Sequence, residues 1–94
     1  MDIRFHTDLD GEPHIHAHNV SEAEVLEVLN RPLERIAGRN DSFITTGRTR
    51  GGRILNVIHA PLRGKIGIFV ITAYDLPAKQ IRALNRRLKR RRRS

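Results

Sequence analysis

The chain has 94 residues, a formal net charge of +8, no Cys and an apolar share of 38%. This length fits one small domain with a single modest core, and the lack of Cys excludes a disulfide scaffold, a thiolate zinc site and a cysteine nucleophile. No apolar run reaches the roughly 18 residues of a membrane span, and the basic excess indicates a polyanionic partner, most commonly nucleic acid.

The N-terminal segment begins with a predicted short strand at residues 3–5 and continues through a turn-rich stretch. His14, His16 and His18 then alternate in a segment that fits either a helix or an extended strand. In a strand they would share one face, where a His-x-His pair can chelate zinc. No carboxylate has a suitable spacing, so we predict no metal site and no cofactor.

The strongest local signal is the start of a helix at Ser21. Ser21 and Glu24 have the spacing of a capping box, in which each side chain bonds the backbone N–H of the other residue. Val20 and Val25 occupy the positions of a hydrophobic staple around it. The helix is predicted to end near Asn30, because a proline follows two residues later and disfavours helical geometry before it.

Three strands are predicted next, at residues 43–49, 54–60 and 65–74. Short turns at residues 50–53 and 61–64 join them, so they form an antiparallel meander. The third strand is apolar almost throughout, which is typical of a central strand that is buried on both faces.

A second helix is predicted to start near Pro77, with Ile81, Leu84 and Leu88 as one narrow apolar stripe. The element order β-α-β-β-β-α predicts an α+β fold, in which two helices pack on a small antiparallel sheet. Residues 1–88 would form the single domain, and residues 89–94 a basic tail that frays.

Charge is divided unevenly along the chain. Residues 1–41 carry nine acids and four bases, a net charge of −5, whereas residues 42–94 carry one acid and 14 bases, a net charge of +13. The second half is therefore predicted to hold the polyanion surface, and the first half to be solvated or free for a basic partner. Arginine suits phosphate because its planar fork binds two oxygens. The candidate phosphate contacts are Arg48, Arg50, Arg53, Arg63, Lys65, Arg82, Arg86 and Arg87.

Two side chains are candidates for acid–base chemistry. His59 is the first candidate, because the ordinary pKa of histidine lies near neutral pH. Tyr74 is the second. The structural alternatives are a half-exposed strand histidine and a sheet-edge aromatic residue. Asp75 would cap the last helix or act as a base.

Four short motifs in a characteristic order resemble the BrnT family and a related group of uncharacterised domains, DUF4258. The resemblance covers roughly residues 15–90. The motifs are His18-Asn19-Val20-Ser21, Gly47-Arg48-Thr49, Gly52-Arg53-Ile54-Leu55 and Val70-Ile71-Thr72-Ala73.

The resemblance implies a RelE-like α+β fold and a bacterial toxin that cleaves RNA without a metal and is neutralised by a small antitoxin protein. Metal-free cleavage needs a base for the 2′-OH, cations for the charged phosphorane and an acid for the 5′-oxygen. On this hypothesis Arg48, Arg53 and Lys65 hold phosphate, while His59 or Tyr74 exchanges protons. BrnT chains usually place an arginine after the last strand's Ser-Ala or Thr-Ala, where this chain has Tyr74. The alternative is therefore a non-catalytic domain that binds RNA or DNA. In either case we expect a cytoplasmic protein without a membrane contact.

Overall fold

The computed structural model describes residues 1–93 and comprises five strands and two α-helices, in agreement with the predicted α+β class. A short 3-10 helix, His14–His18, precedes the first α-helix and decides the histidine-rich segment in favour of a helix. In chain order the elements are β1 (Asp2–Phe5), α1 (Glu22–Asn30), β2 (Pro32–Ala37), β3 (Phe43–Arg48), β4 (Ile54–Pro61), β5 (Gly67–Asp75) and α2 (Ala78–Arg93).

The five strands form one sheet in the order β1-β5-β4-β3-β2. Strands β2 to β5 are an antiparallel meander, whereas β1 pairs with β5 in parallel. The sheet is therefore mixed. The prediction was an antiparallel sheet of three main strands with a possible N-terminal strand, and it is wrong in strand count and order, although β1 is that N-terminal strand. The strand that the sequence did not predict is β2. It is a sheet edge that opens on Pro32, and proline is tolerated at the first residue of an edge strand.

Helix α1 forms as its sequence predicts. Ser21 Oγ accepts a hydrogen bond from the Glu24 N–H at 3.1 Å, and Glu24 Oε1 accepts one from the Ser21 N–H at 3.0 Å. Val25 and Val28 are fully buried against the sheet. A side chain at Gly47 on β3 would lie 3.1 Å from Val28 Cγ1, so glycine there allows the helix to approach the strand closely.

The strand register sorts the central side chains onto two faces of the sheet. Side chains directly opposite each other in neighbouring strands share a face. We call the face that α1 covers the α1 face, and the opposite one the α2 face. The row Arg35, Thr45, Val57 and Ala73 lies on the α1 face, and the row Glu34, Thr46, Asn56 and Tyr74 lies on the α2 face.

Helix α2 begins at the end of β5 and is anchored by Leu84, which is fully buried, with Ile81 and Leu88 partly buried beside it. Residues 89–93, assigned to a tail from the sequence, continue this helix without a break. Within the described part of the chain, no helix combines the length and the apolar character that a membrane crossing requires.

Candidate nucleic-acid interface

The guanidinium of Arg53, a predicted phosphate ligand, is directed at protein acceptors. Arg53 donates to both oxygens of Glu24 at 3.0 and 3.1 Å and to the Asn19 carbonyl at 2.7 Å. It also donates to the two oxygens of Asp75 at 3.1 and 2.8 Å. We call Arg53, Glu24 and Asp75 the Arg53 cluster. It joins α1 to the ends of β4 and β5, so the motif arginine stabilises the fold.

The pKa values of the Arg53 cluster reflect these contacts. The hydrogen bond that Arg53 donates to Asp75 raises the pKa of Arg53, and the same bond lowers the pKa of Asp75. The pKa of Glu24 is lowered first by the Ser21 backbone N–H and further by Arg53. Asp75 does not cap α2, because both of its oxygens accept from Arg53 and the helix begins three residues later, at Ala78.

A second ionic cluster holds α2 against the edge strand β2. Arg87 donates to the two oxygens of Glu34 at 2.8 and 2.7 Å, and Arg91 donates to one of them at 2.9 Å. The Glu34 side chain is only 7% exposed, and the hydrogen bond from Arg87 lowers its pKa. We call these three residues the Glu34 cluster. Arg87, another predicted phosphate contact, is thus also engaged within the protein.

Both clusters join acids from the first half of the sequence to bases from the second. The predicted division into an acidic surface and a basic surface is therefore wrong at Glu24 and Glu34, where the fold brings opposite charges together. What remains for a polyanion is the set of cations that these carboxylates do not engage.

The outward face of α2 carries one group of those remaining cations. Five of them are exposed and make no ion pair with a described residue. At 100° per residue they fall on the side of the helix opposite Leu84. A helix of this length is about 24 Å long, so they form one basic stripe. We call it the α2 stripe, and it consists of Lys79, Arg82, Arg86, Lys89 and Arg90.

A groove of about 520 Å³ lies between the end of α1 and the β3–β4 turn. Two of the predicted contacts, Arg48 and Arg50, line it together with Arg31. Glu27 holds Arg50, accepting a hydrogen bond from its backbone N–H at 3.2 Å and lying 3.7 Å from its Nε. Arg31 was missed from the sequence because it belongs to the acidic half and no motif marks it.

The two cations of the second predicted basic turn, between β4 and β5, differ in their contacts. Arg63 is exposed and makes no ion pair with a described residue. Lys65 Nζ lies 3.6 Å from Asp2 Oδ2 at the start of β1. Of this pair, Arg63 is the better placed to meet an external anion.

His59 lies near the end of β4, where the sequence predicts it, but it is buried rather than half-exposed, at 4%. A hydrogen bond of 2.7 Å joins its Nε2 to Thr45 Oγ1, and its ring stacks on Phe43 at 5.9 Å between centroids. Burial, and to a smaller extent the charge of Arg35, lowers its pKa, which favours the neutral imidazole. His59 lines a pocket of about 210 Å³ on the α1 face.

Tyr74 lies on the opposite face of the sheet from His59. It pairs across the strands with Asn56, three positions before His59, and an odd offset along a strand reverses the face. Its ring contacts His18 at 6.3 Å between centroids. The two predicted proton-transfer residues are therefore separated by the sheet and do not face one reacting group.

The three alternating histidines do not share a face, because the segment is a 3-10 helix. His14 Nδ1 lies 2.9 Å from Asp8 Oδ1, and the His14 ring packs on His18 at 5.3 Å between centroids. His16 Nδ1 lies 3.4 Å from a Glu12 carboxylate oxygen. Within the described residues, no group of three or more His, Asp or Glu side chains is arranged to hold a metal ion.

No protein-family model matches the chain, and no curated protein or solved structure matches it either. The resemblance to the BrnT family therefore stays a prediction that rests on the short motifs of residues 15–90.

Proposed function

We propose that this is a cytoplasmic protein that binds RNA through the α2 stripe and the groove lined by Arg31, Arg48 and Arg50, without cleaving it. The observation that carries the proposal is the α2 stripe itself. Its five cations are exposed, and none of them makes an ion pair with a described residue. Such a face releases counterions from a polyanion, which gives strong, salt-sensitive and sequence-tolerant binding. Only four aromatic side chains of the Phe, Tyr and Trp types occur in the chain, so phosphate contacts rather than base stacking would dominate.

The placement of the predicted catalytic residues supports binding over cleavage. A general base and a general acid must reach the same phosphodiester. His59 is nearly enclosed on the α1 face, whereas Tyr74 and α2 lie on the other face. The cleavage hypothesis needs Arg53 to bind phosphate, but Arg53 donates its hydrogen bonds to Glu24 and Asp75.

The second candidate is the metal-independent endoribonuclease of a toxin–antitoxin pair, with a small protein antitoxin as partner. One observation favours it, because His59 and Arg35 line the same pocket and would offer a proton-transfer group beside a cation. On this alternative Tyr74 has no part in the reaction, and the pocket rather than the α2 stripe is the centre of activity.

The binding experiment is fluorescence anisotropy with a labelled RNA over a series of salt concentrations. If the five stripe cations each neutralise one phosphate of a single strand, log K falls with log salt with a slope of about −3.5. Arg82→Gln with Arg86→Gln should reduce the slope by about 1.4. The matched control removes the same charge from exposed positions elsewhere, with Arg4→Gln and Arg39→Gln. An equal loss in both variants would show that net charge alone, and not the stripe, attracts RNA.

The cleavage experiment incubates the same RNA with the protein in EDTA and follows its length on a denaturing gel. The proposal expects a bound and intact RNA, and no growth arrest when the protein is expressed. Cleavage that His59→Gln abolishes and Tyr74→Phe leaves unchanged would instead establish the endoribonuclease alternative.

A further inference from the structure

We propose that the pocket at His59, here called the His59 pocket, binds one unpaired nucleotide, with the base inside and the phosphate at Arg35. The nucleotide is either free or part of a single strand, and only the second source depends on the proposed RNA-binding function. The pocket lies on the face of the sheet opposite the α2 stripe, so the two sites can be tested separately.

The size and the walls of the His59 pocket favour a single ring system. Its volume of about 210 Å³ is below the roughly 300–1,000 Å³ of pockets that hold drug-sized ligands. Its lining is mainly apolar and comes from five elements, α1, β2, β3, β4 and β5. The larger apolar residues are Leu29, Pro32, Phe43, Pro61 and Ile68. A planar base fits this space and these walls, because its faces are apolar and only its edge is polar.

His59 supplies one polar contact in these apolar surroundings. Its Nε2 is bonded to Thr45, but its Nδ1 has no hydrogen-bond partner among the described residues and is not completely enclosed. The Thr45 hydroxyl can donate or accept, so Nδ1 of the neutral ring can serve as either acceptor or donor. A base edge, which carries both donors and acceptors, can therefore pair with it, whereas a hydrocarbon would leave this nitrogen unpaired.

Arg35 places a positive charge on the pocket wall. Its guanidinium lies 4.3 Å from the Phe43 ring centroid, and the other neighbour of Phe43 is the His59 ring. Arg35 makes no ion pair with a described residue, so its donors are available to an anion. Arginine binds phosphate with two parallel hydrogen bonds. A second arginine, Arg63, is exposed on the turn that follows the lining residue Pro61. A ring with one attached phosphate meets all three features of the site, namely the walls, Nδ1 and the cation.

The test is NMR on the full chain, with signals followed at the His59 ring nitrogens, the Ile68 methyl groups and the side chains of Arg82 and Arg86. Nucleoside 5′-monophosphates are added first, and a short single-stranded RNA second. The inference expects saturable shifts at His59 and Ile68 with the monophosphates. Arg35→Gln should weaken this binding by about tenfold, since one charge-assisted contact is lost. Arg39→Gln, an exposed arginine outside the pocket, should leave it unchanged.

Each outcome decides between the two proposals. RNA that shifts Arg82 and Arg86 but neither His59 nor Ile68, with no effect of the monophosphates, overturns the nucleotide pocket and leaves RNA binding standing. Monophosphate shifts at His59 without any RNA effect on α2 support the pocket and contradict RNA binding. Inorganic phosphate that reproduces the His59 shifts overturns the inference, because the site would then hold an anion only. An unphosphorylated nucleoside that binds equally well contradicts the role of Arg35.

Discussion

The Arg53 cluster and the Glu34 cluster combine the same kinds of group in opposite proportions. In the first, one guanidinium is shared by two carboxylates, and the side chains of Arg53 and Asp75 are 29% and 62% exposed. In the second, one carboxylate is shared by two guanidiniums, and Glu34 is 7% exposed. Exposed charges regain water when a partner is lost, whereas a buried charge does not. Removing the charged partners should therefore lower the stability of the protein more in the Glu34 cluster than in the Arg53 cluster.

Both clusters use acids from residues 1–41 to hold bases from residues 42–94. The first half is consequently not a free acidic surface. After this internal pairing, the cations that α2 turns outward are part of the surplus that a polyanion can reach.

The largest effect is expected from Arg87→Gln combined with Arg91→Gln. These changes leave the Glu34 carboxylate buried without its cations, and the midpoint of thermal unfolding should fall by about 10 °C. Differential scanning calorimetry measures it. Adding Glu34→Leu should restore much of the loss, because the buried charge is then gone. A double variant with unchanged stability would show that Glu34 is not held by these arginines.

Acid should weaken the Glu34 cluster in the wild-type protein. The pKa of Glu34 is lowered from its ordinary 4.5, so its contribution is fully present above that pH and is lost as pH falls through the lower value of the folded state. Unfolding followed at several pH values should show a decline below about pH 4.5. The decline should be shallower in the Arg87→Gln, Arg91→Gln variant, and equally steep curves would contradict this role of the pair.

Breaking the Arg53 cluster should have a smaller effect. Arg53→Gln removes hydrogen bonds to Glu24, Asp75 and Asn19, but the carboxylates can be rehydrated, so the free energy of unfolding should fall by about 1–2 kcal/mol. Arg53→Lys keeps the charge without the planar fork and should recover only part of it. Urea unfolding measures both, and full recovery with lysine would mean that charge alone matters.

The capping box of α1 shares Glu24 with the Arg53 cluster. Ser21→Ala should lower the free energy of unfolding by about 1 kcal/mol. Combined with Arg53→Gln, the total loss should differ from a simple sum by about 0.5 kcal/mol or more, because both changes act on Glu24, one at its backbone N–H and the other at its carboxylate. A double-mutant cycle in urea gives this coupling, and strict additivity would show that the cap holds Glu24 without help.

The smallest effect on stability is expected at the α2 stripe. Arg82→Gln with Arg86→Gln should change the free energy of unfolding by no more than about 0.5 kcal/mol, since neither side chain has a described ion-pair partner. These positions lie on the same helix as Arg87 and Arg91, so the variants separate the outward cations from those that hold the fold. A large loss of stability at Arg82 and Arg86 would remove that distinction.

Local interactions account for what the sequence determined by itself. Helix α1 follows from the contact of Ser21 with Glu24, three residues away, and the hairpins of β3, β4 and β5 follow from short turns between apolar runs. These interactions form between residues that are close in the sequence, so the residue types and their spacing predict them without knowledge of the fold.

Only the tertiary structure decided the parts that depend on distant partners. It added β2 as an edge strand, placed β1 parallel to β5 and put His59 and Tyr74 on opposite faces. Glu34 meets Arg87 and Arg91 across 53 and 57 positions of the chain. No local spacing encodes such a contact, because it exists only once the sheet brings the edge strand under α2. The sequence therefore supplied the charges, while the fold determined which of them bind each other and which remain for a partner.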